Sequence, residues 1–339
     1  MPHPYPVREI ARQAGVSEAT VDRVLHGRPG VRAGTVLQVQ QAIADLDRQR
    51  TQLRLSGRTF MVDVVMDTPS RFSQLVRRSL EAELPALRPA AVRARFHLRE
   101  GWPPADFVRV LDGIAAKGSN GVILKAPDTP AVAAAVDSLT ASGIPVLTLV
   151  TDVPSSSRIA YVGMNNRAAG ATAAYLVGNW LRNSDAAVLV LTSRSLFRGE
   201  EEREMGFRSW MSTHDTERRL VEISNTDGLD DTSRDLVTAE LARSADIRAV
   251  YSIGGGNSGV VDSFAAARRN CEVFIGHDLA RSNRALLQTG HLTAVLHHDL
   301  REDMRHAVRT IMIFHGALPG PVVTVNSKIE VITPANMPV

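Results

Sequence analysis

Residues Val7–His26 read VREIARQAGVSEATVDRVLH, and their pattern decides the architecture of the start of the chain. Val7, Ile10, Ala11 and Ala14 follow the i, i+3, i+4, i+7 spacing of one helix face. Gly15 breaks that pattern where a left-handed residue suits a tight turn. Ser17 is a natural N-cap for a second helix, whose inward face is Val21, Val24 and Leu25. Two short helices joined by a Gly-containing turn make a helix-turn-helix. Downstream, Val36, Val39, Ile43 and Leu46 form the apolar stripe of a third helix. Three such helices can bury one small core and leave the polar face of the second free for a DNA major groove.

Outward from this head, composition sets the class. At 339 residues the chain has room for two or three domains, and 44% apolar with 22% charged residues describes a globular protein with a sizeable core. The single cysteine, Cys271, leaves no internal disulfide, fits a reducing compartment, and reads as an inert small residue beside a strand. No apolar run approaches the roughly 18 residues of a membrane span, and the first 25 residues lack the core of a signal peptide, so a cytoplasmic protein is expected. Charge is uneven. Residues 1–58 carry nine Arg and five acids, net +4, while the remaining 30 basic and 31 acidic residues sum to −1. A basic head on a near-neutral body expects a polyanion at the head alone.

From Phe60 onward, β-rich runs and helical stretches alternate. FMVDVVM (60–66), VRARFHL (92–98), GVILK (121–125) and IPVLTLV (144–150) are separated by helical segments. After Val150 the pattern restarts with 159–162, AAVLVLT (186–192), 219–224, AVYSI (249–253) and EVFIG (272–276). Continuous apolar strands in repeated βα units imply parallel sheets covered by helices on both faces.

The run I-A-x-x-A-G-V-S-x-x-T-V-x-R-V-L at Ile10–Leu25, followed by Gly27, Pro29, Gly30 and Val31, resembles the DNA-binding head of the lactose-repressor family of bacterial transcription regulators. PVLTLVTDVP (145–154), YVGMNNRAAGATAAYLV (161–177), EREMGF (202–207), FIGHD (274–278) and TAVLHHD (293–299) resemble that family's effector domain, which has the type I periplasmic-binding-protein fold. The resemblance implies an all-α head (1–47), an Arg-rich hinge (48–58) and an α/β effector and dimerisation domain (59–339). Its two parallel-sheet subdomains are expected at about 59–156 with 291–319, and about 157–290 with 320–339. It also implies a homodimer whose affinity for double-stranded operator DNA is set by a small carbohydrate or polyol effector.

Residue by residue, the resemblance assigns base reading to Glu18, Ala19 and Arg23, and backbone contacts to Ser17 and Thr20. Arg suits guanine O6/N7, Glu accepts from cytosine N4, and an Ala methyl meets a thymine methyl. His26 can donate to phosphate, Arg28 is a further DNA-binding candidate, and Leu55 is the candidate minor-groove wedge of the hinge. Asp22 and His26 depart from the family's Ser and Asn. A carboxylate at position 22 repels DNA unless it pairs with Arg23 or Arg28 or reaches a base amine, so Asp22 receives no contact role.

Ligands of open α/β sheets bind beyond the carboxyl ends of strands. The effector candidates are accordingly Asp67, Phe72, Asn165, Arg198, Asn257, Asp278 and His298, a mixture that grips hydroxyls and stacks on C–H surface. Arg203 is expected to order its loop through an ion pair. Gly254–Gly259 matches G-x-G-x-x-G between a strand and a helix, so an NAD(P)-linked enzyme with an accessory DNA-binding head is the alternative. The late position of that turn and the lack of a catalytic constellation weigh against it. No cofactor, catalytic residue or metal site is expected. The adjacent His297, His298 and Asp299 alternate in direction along a strand and do not converge.

Overall fold

A computed structural model describes residues 3–193 and 196–338. The head consists of helices α1 (Val7–Ala14), α2 (Glu18–Leu25) and α3 (Ala33–Leu55). Gly15 ends α1 at φ +67° and donates its N–H to the Ala11 carbonyl, while the Ser17 side chain accepts the Thr20 N–H and starts α2. Ile10, Val21 and Val39 are fully buried, with Ala11, Ala14, Ala42 and Leu46 around them. The Tyr5 hydroxyl donates to Asp47 at 2.6 Å and ties the first residues to α3.

The segment expected as a hinge is a continuation of α3. No Gly or Pro interrupts 35–56, and Gln, Arg and Leu are good helix formers, so the helix runs 23 residues to Leu55. Only Ser56, Gly57 and Arg58 separate it from the first strand. Leu55, the expected wedge, is 6% exposed and packs into the core of the body with Phe60 and Leu87. Leu55 is thus held in the body rather than free as the expected wedge: burial there stabilises it more than exposure at the helix end.

The body has two lobes. In chain order the first contains β1 (Thr59–Asp67), α4 (Ser70–Glu83), β2 (Ala91–Arg99), α5 (Pro104–Lys117), β3 (Gly121–Lys125), α6 (Pro130–Ala141), β4 (Val146–Leu149) and β5 (Ala160–Met164). The second contains α7 (Asn166–Trp180), β6 (Ala187–Leu191), α8 (Arg198–His214), β7 (Leu220–Ile223), α9 (Asp230–Arg243), β8 (Ile247–Ser252), α10 (Asn257–Ala266), β9 (Val273–His277), α11 (Arg281–Gln288) and β10 (Ala294–His297). The chain then returns through α12 (Leu300–Phe314) and β11 (Val325–Ser327) to the first lobe, and ends at β12 (Glu330–Ile332) in the second.

The strand orders are β2-β1-β3-β4-β5-β11 and β7-β6-β8-β9-β10-β12, parallel throughout except for β10 against β12. The lobe boundaries therefore differ from those expected. β5, expected in the second subdomain, pairs with β4 in the first, and β11 in turn pairs with β5. β10, expected in the first subdomain, pairs with β9 in the second. Hydropathy repeats locate strands; the sheet edge a strand joins depends on the crossover that delivers it.

Candidate functional site

On the head, Ser17, Glu18, Ala19, Arg23, His26 and Arg28 lie on the accessible surface around α2, and Thr20 is half-buried. The outward face of α2 is thus made of the residues assigned to DNA. The Ser17 and Thr20 hydroxyls lie 2.8 Å apart. Asp22 is not an isolated charge: Arg28 Nη1 donates to its Oδ2 at 2.8 Å, and His26 Nδ1 stands 3.1 Å from its Oδ1. The three residues that flank the end of α2 form one local cluster, in which Arg28 offsets the carboxylate.

The second site lies between the lobes at the carboxyl ends of their strands, as parallel sheets require. A cavity of about 80 Å³ is walled there by β1, α4 and β3 on one side and by α8, the turn after β8 and the end of β9 on the other. Arg71, at the start of α4, closes the cleft across its mouth. Its Nη1 donates to Gly228 O at 2.6 Å, and its Nη2 donates to Gly254 O at 3.3 Å. Backbone strain is stored at two strand ends in this wall: Val150 has φ +65° and Asp278 φ +63°. The left-handed region is especially costly for a β-branched residue such as Val150. Its carbonyl is held by Asn166 Nδ2 at 3.0 Å.

Of the expected effector residues, Asp67, Phe72 and Asp278 line the cavity. Asp67 accepts the Gly101 N–H at 2.9 Å. The other four are not in its wall. Asn165 is exposed and caps α7 by accepting from Ala168 N. Arg198 donates to Glu202 at 3.2 Å, one helical turn away, and faces Asp128. Asn257 is buried behind the wall, where its Nδ2 donates to Asn283 Oδ1 at 2.8 Å. His298 is fully buried behind Asp278, with Nε2 3.8 Å from Asp278 Oδ1 and Nδ1 donating to Asp303 Oδ2 at 2.5 Å. Each sits beside a strand end, but side-chain direction and helix capping turn it away from the ligand space.

The wall also holds residues that reasoning from strand ends passed over. Arg203, expected in an ion pair, is 4% exposed. Its Nε donates to Asn166 Oδ1 at 2.8 Å, and its Nη2 has no partner among the described residues. Lys125 ends the apolar strand β3. Its Nζ lies 4.1 Å from the centre of the Phe197 ring and donates to the Asp67 carbonyl at 3.2 Å. Burial pushes Lys125 down to about 8, against the opposing pull of Glu200 and Asp67. His277 is neutral, because burial and then the charge of Arg203 push it well below the ordinary imidazole value. The strand-end rule that selected Asp67 and Asp278 applies equally to Lys125 and His277.

The glycines of Gly254–Gly259 are accounted for by packing within the chain. Gly255 adopts φ +102°, and a Cβ there would lie 1.9 Å from Arg71 Nη2. At Gly259 a Cβ would lie 1.8 Å from the Asp230 carbonyl, where α9 and α10 are pressed together. At the other strand, His297 Nδ1 accepts the Leu279 N–H at 3.3 Å and Asp299 caps α12, so neither converges with His298. Burial pushes the Cys271 thiol up to about 12.

Two stretches match known families. Residues 7–49 match bacterial regulatory proteins of the lacI family, and residues 64–313 match the periplasmic binding protein domain. The chain is 40% identical over 77 residues to the HTH-type transcriptional regulator reg1 of Streptomyces lividans, covering 21% of this chain and 22% of that one. It is 32% identical over 174 residues to the HTH-type transcriptional regulator MalR of Streptomyces coelicolor, covering 48% of this chain and 46% of that one. The matches thus span less than half the length of either relative. The glucose-galactose binding protein GanP of Geobacillus stearothermophilus has the same body fold, with TM-score 0.73 and 23% identity over 83% of this chain and 99% of that one.

Proposed function

Since the chain belongs to the lacI family of bacterial regulatory proteins and carries a periplasmic binding protein domain behind its head, we propose that it is a homodimeric, cytoplasmic transcription regulator. α2 reads a near-palindromic operator, and a small sugar or sugar-derived effector between the lobes sets operator affinity. The observation that carries this reading is the pairing of an outward α2 face with a closable polar cleft, the two joined by the single helix α3. An effector regulates only if it favours one lobe arrangement over the other, and the Arg71 clasp is a contact between the lobes on which such a preference can act. GanP, which shares the body fold, is a glucose-galactose binding protein, and this supports a carbohydrate. Close packing already explains the glycine turn on which the NAD(P) alternative depends.

The test is selection of binding sequences from random duplexes with the full chain, followed by measurement of the selected duplex's affinity across a panel of monosaccharides and polyols. The reading expects one dyad-symmetric motif whose affinity shifts with a member of the panel. Sequence-independent binding, or a thermal shift with NAD(P) and none with sugars, overturns it.

A further inference from the structure

The hydrogen bonding of the cleft is unbalanced, and the imbalance describes the ligand. Tyr251 is fully buried, and its hydroxyl has one partner among the described residues, His277 Nε2 at 2.9 Å. Either tautomer leaves one buried donor without an acceptor: the His277 Nδ1–H when the phenol donates to Nε2, or the phenol O–H when Nε2 donates to it. With Nε2 as the acceptor, the His277 proton sits on Nδ1. Among the described residues that buried Nδ1 has no partner, and neither has Arg203 Nη2. Both residues are in the cavity wall together with Lys125, whose ammonium makes one hydrogen bond among the described residues, to the Asp67 carbonyl.

Among the described residues, none of the carboxylates in the wall (Asp67, Glu100, Glu200, Asp227 and Asp278) accepts a hydrogen bond from these donors. Glu200 accepts the Ser193 N–H at 2.7 Å and the Ser193 hydroxyl. Asp67 takes the Gly101 N–H, and Glu100 is exposed at the rim. Asp278 leaves Oδ1 without a hydrogen bond, next to His298, as an acceptor for a ligand hydroxyl. A buried donor without an acceptor is destabilising, so a ligand that supplies acceptor oxygens gains more here than one that supplies hydroxyls alone.

We propose that the effector is a sugar acid, whose carboxylate is received by His277 Nδ1–H, Arg203 Nη2–H and the Lys125 ammonium while its hydroxyls meet Asp278. The inference rests on the carbohydrate reading above and narrows it to an anion. Lys125 is faced by Asp67 of β1, Glu200 and Arg203 of α8, and Asp278 after β9. Its low proton affinity means that these neighbours do not offset burial, and an incoming carboxylate would.

The experiment is calorimetry of the full chain with D-gluconate, D-galactonate, D-glucuronate and D-galacturonate, each against its parent neutral sugar. A carboxylate probe is expected to bind at least about tenfold more tightly than its parent, a difference of about 1.4 kcal/mol. Its affinity should hold below about pH 7 and fall up to about tenfold per pH unit above 8, as Lys125 loses its proton. His277→Leu and Lys125→Met should each erase the preference, and Lys125→Met should also erase the pH dependence. His277→Asn, which keeps a donor near Nδ1, should retain the preference. Unchanged melting temperatures of the ligand-free variants verify folding. A parent sugar that binds as tightly as its acid overturns this inference and leaves the carbohydrate reading standing. No binding by any acid or parent overturns both.

Discussion

The base reading proposed for Arg23 rests on its exposure. It is exposed on α2, one turn beyond Glu18 and Ala19, and it has no ion pair among the described residues, whereas Arg28 is held by Asp22. Arg23→Ala is expected to cost roughly 1–3 kcal/mol at one operator base pair and to relax preference there. The measurement compares the selected operator with single-base variants; equal losses on specific and random DNA would make Arg23 a phosphate contact instead. Asp278 belongs to the other site, where a left-handed backbone holds its carboxylate in the cleft. Asp278→Ala should abolish the response to effector while leaving operator affinity intact, and an unchanged calorimetric isotherm would remove it from the pocket. At this scale the sequence separated the sites well but ranked their members unevenly. Exposure on a short helix follows from its own spacing. Which strand-end side chain lines the cavity depends on the opposite lobe, so Asp278 stands in the wall while Asn165 caps a helix.

Among the elements, α3 carries the consequence. Its first half contributes Val39, Ala42 and Leu46 to the head core and its last residue, Leu55, to the body core. One helix anchored at both ends can transmit lobe motion to the head as a lever, without requiring a separate segment to fold on DNA. Leu55→Ala removes a buried side chain and should lower unfolding stability by about 2–4 kcal/mol, measured by urea denaturation. Unchanged stability combined with weaker operator bending would restore the wedge role. The helical composition of RQRTQLRL is plain in the sequence, but the burial of Leu55 requires the body surface against which it packs.

In the whole molecule, two sets of contacts across distant parts of the chain govern shape and stability. The Arg71 clasp spans the lobes, so Arg71→Ala should shift the ligand-free protein toward an open cleft. Small-angle X-ray scattering would register a larger radius of gyration; an identical curve would mean that other contacts hold the lobes closed. Within the first lobe, Glu83 of α4 is 1% exposed and accepts from Arg301 Nε at 2.9 Å and Arg305 Nε at 2.6 Å on α12. The Arg305 hydrogen bond, then Arg301, holds Glu83 below the ordinary carboxyl value in spite of burial. Because the folded value lies below the unfolded one, this stabilisation is present above roughly pH 4.3 and is lost as pH falls through that range. The urea midpoint should therefore drop on acidification from about pH 5 to about pH 3, and Glu83→Gln should flatten part of that drop. A variant with the wild-type acid profile would show that Glu83 is not among the responsible groups.

Local periodicity and capping were enough to encode three head helices, an exposed α2 face and alternating βα units, and all of these stand in the amino-acid sequence. Long-range packing alone decided that β5 and β11 join the first sheet while β10 joins the second, that Leu55 at the end of α3 is buried in the body, and that Arg71, Lys125, Arg203 and His277 face one cavity. The physical reason is range. Helix faces and caps are set by residues three or four positions apart. Sheet edges and cleft walls are set by groups far apart in the chain, such as Arg71 and Gly254, which meet only once both lobes have packed.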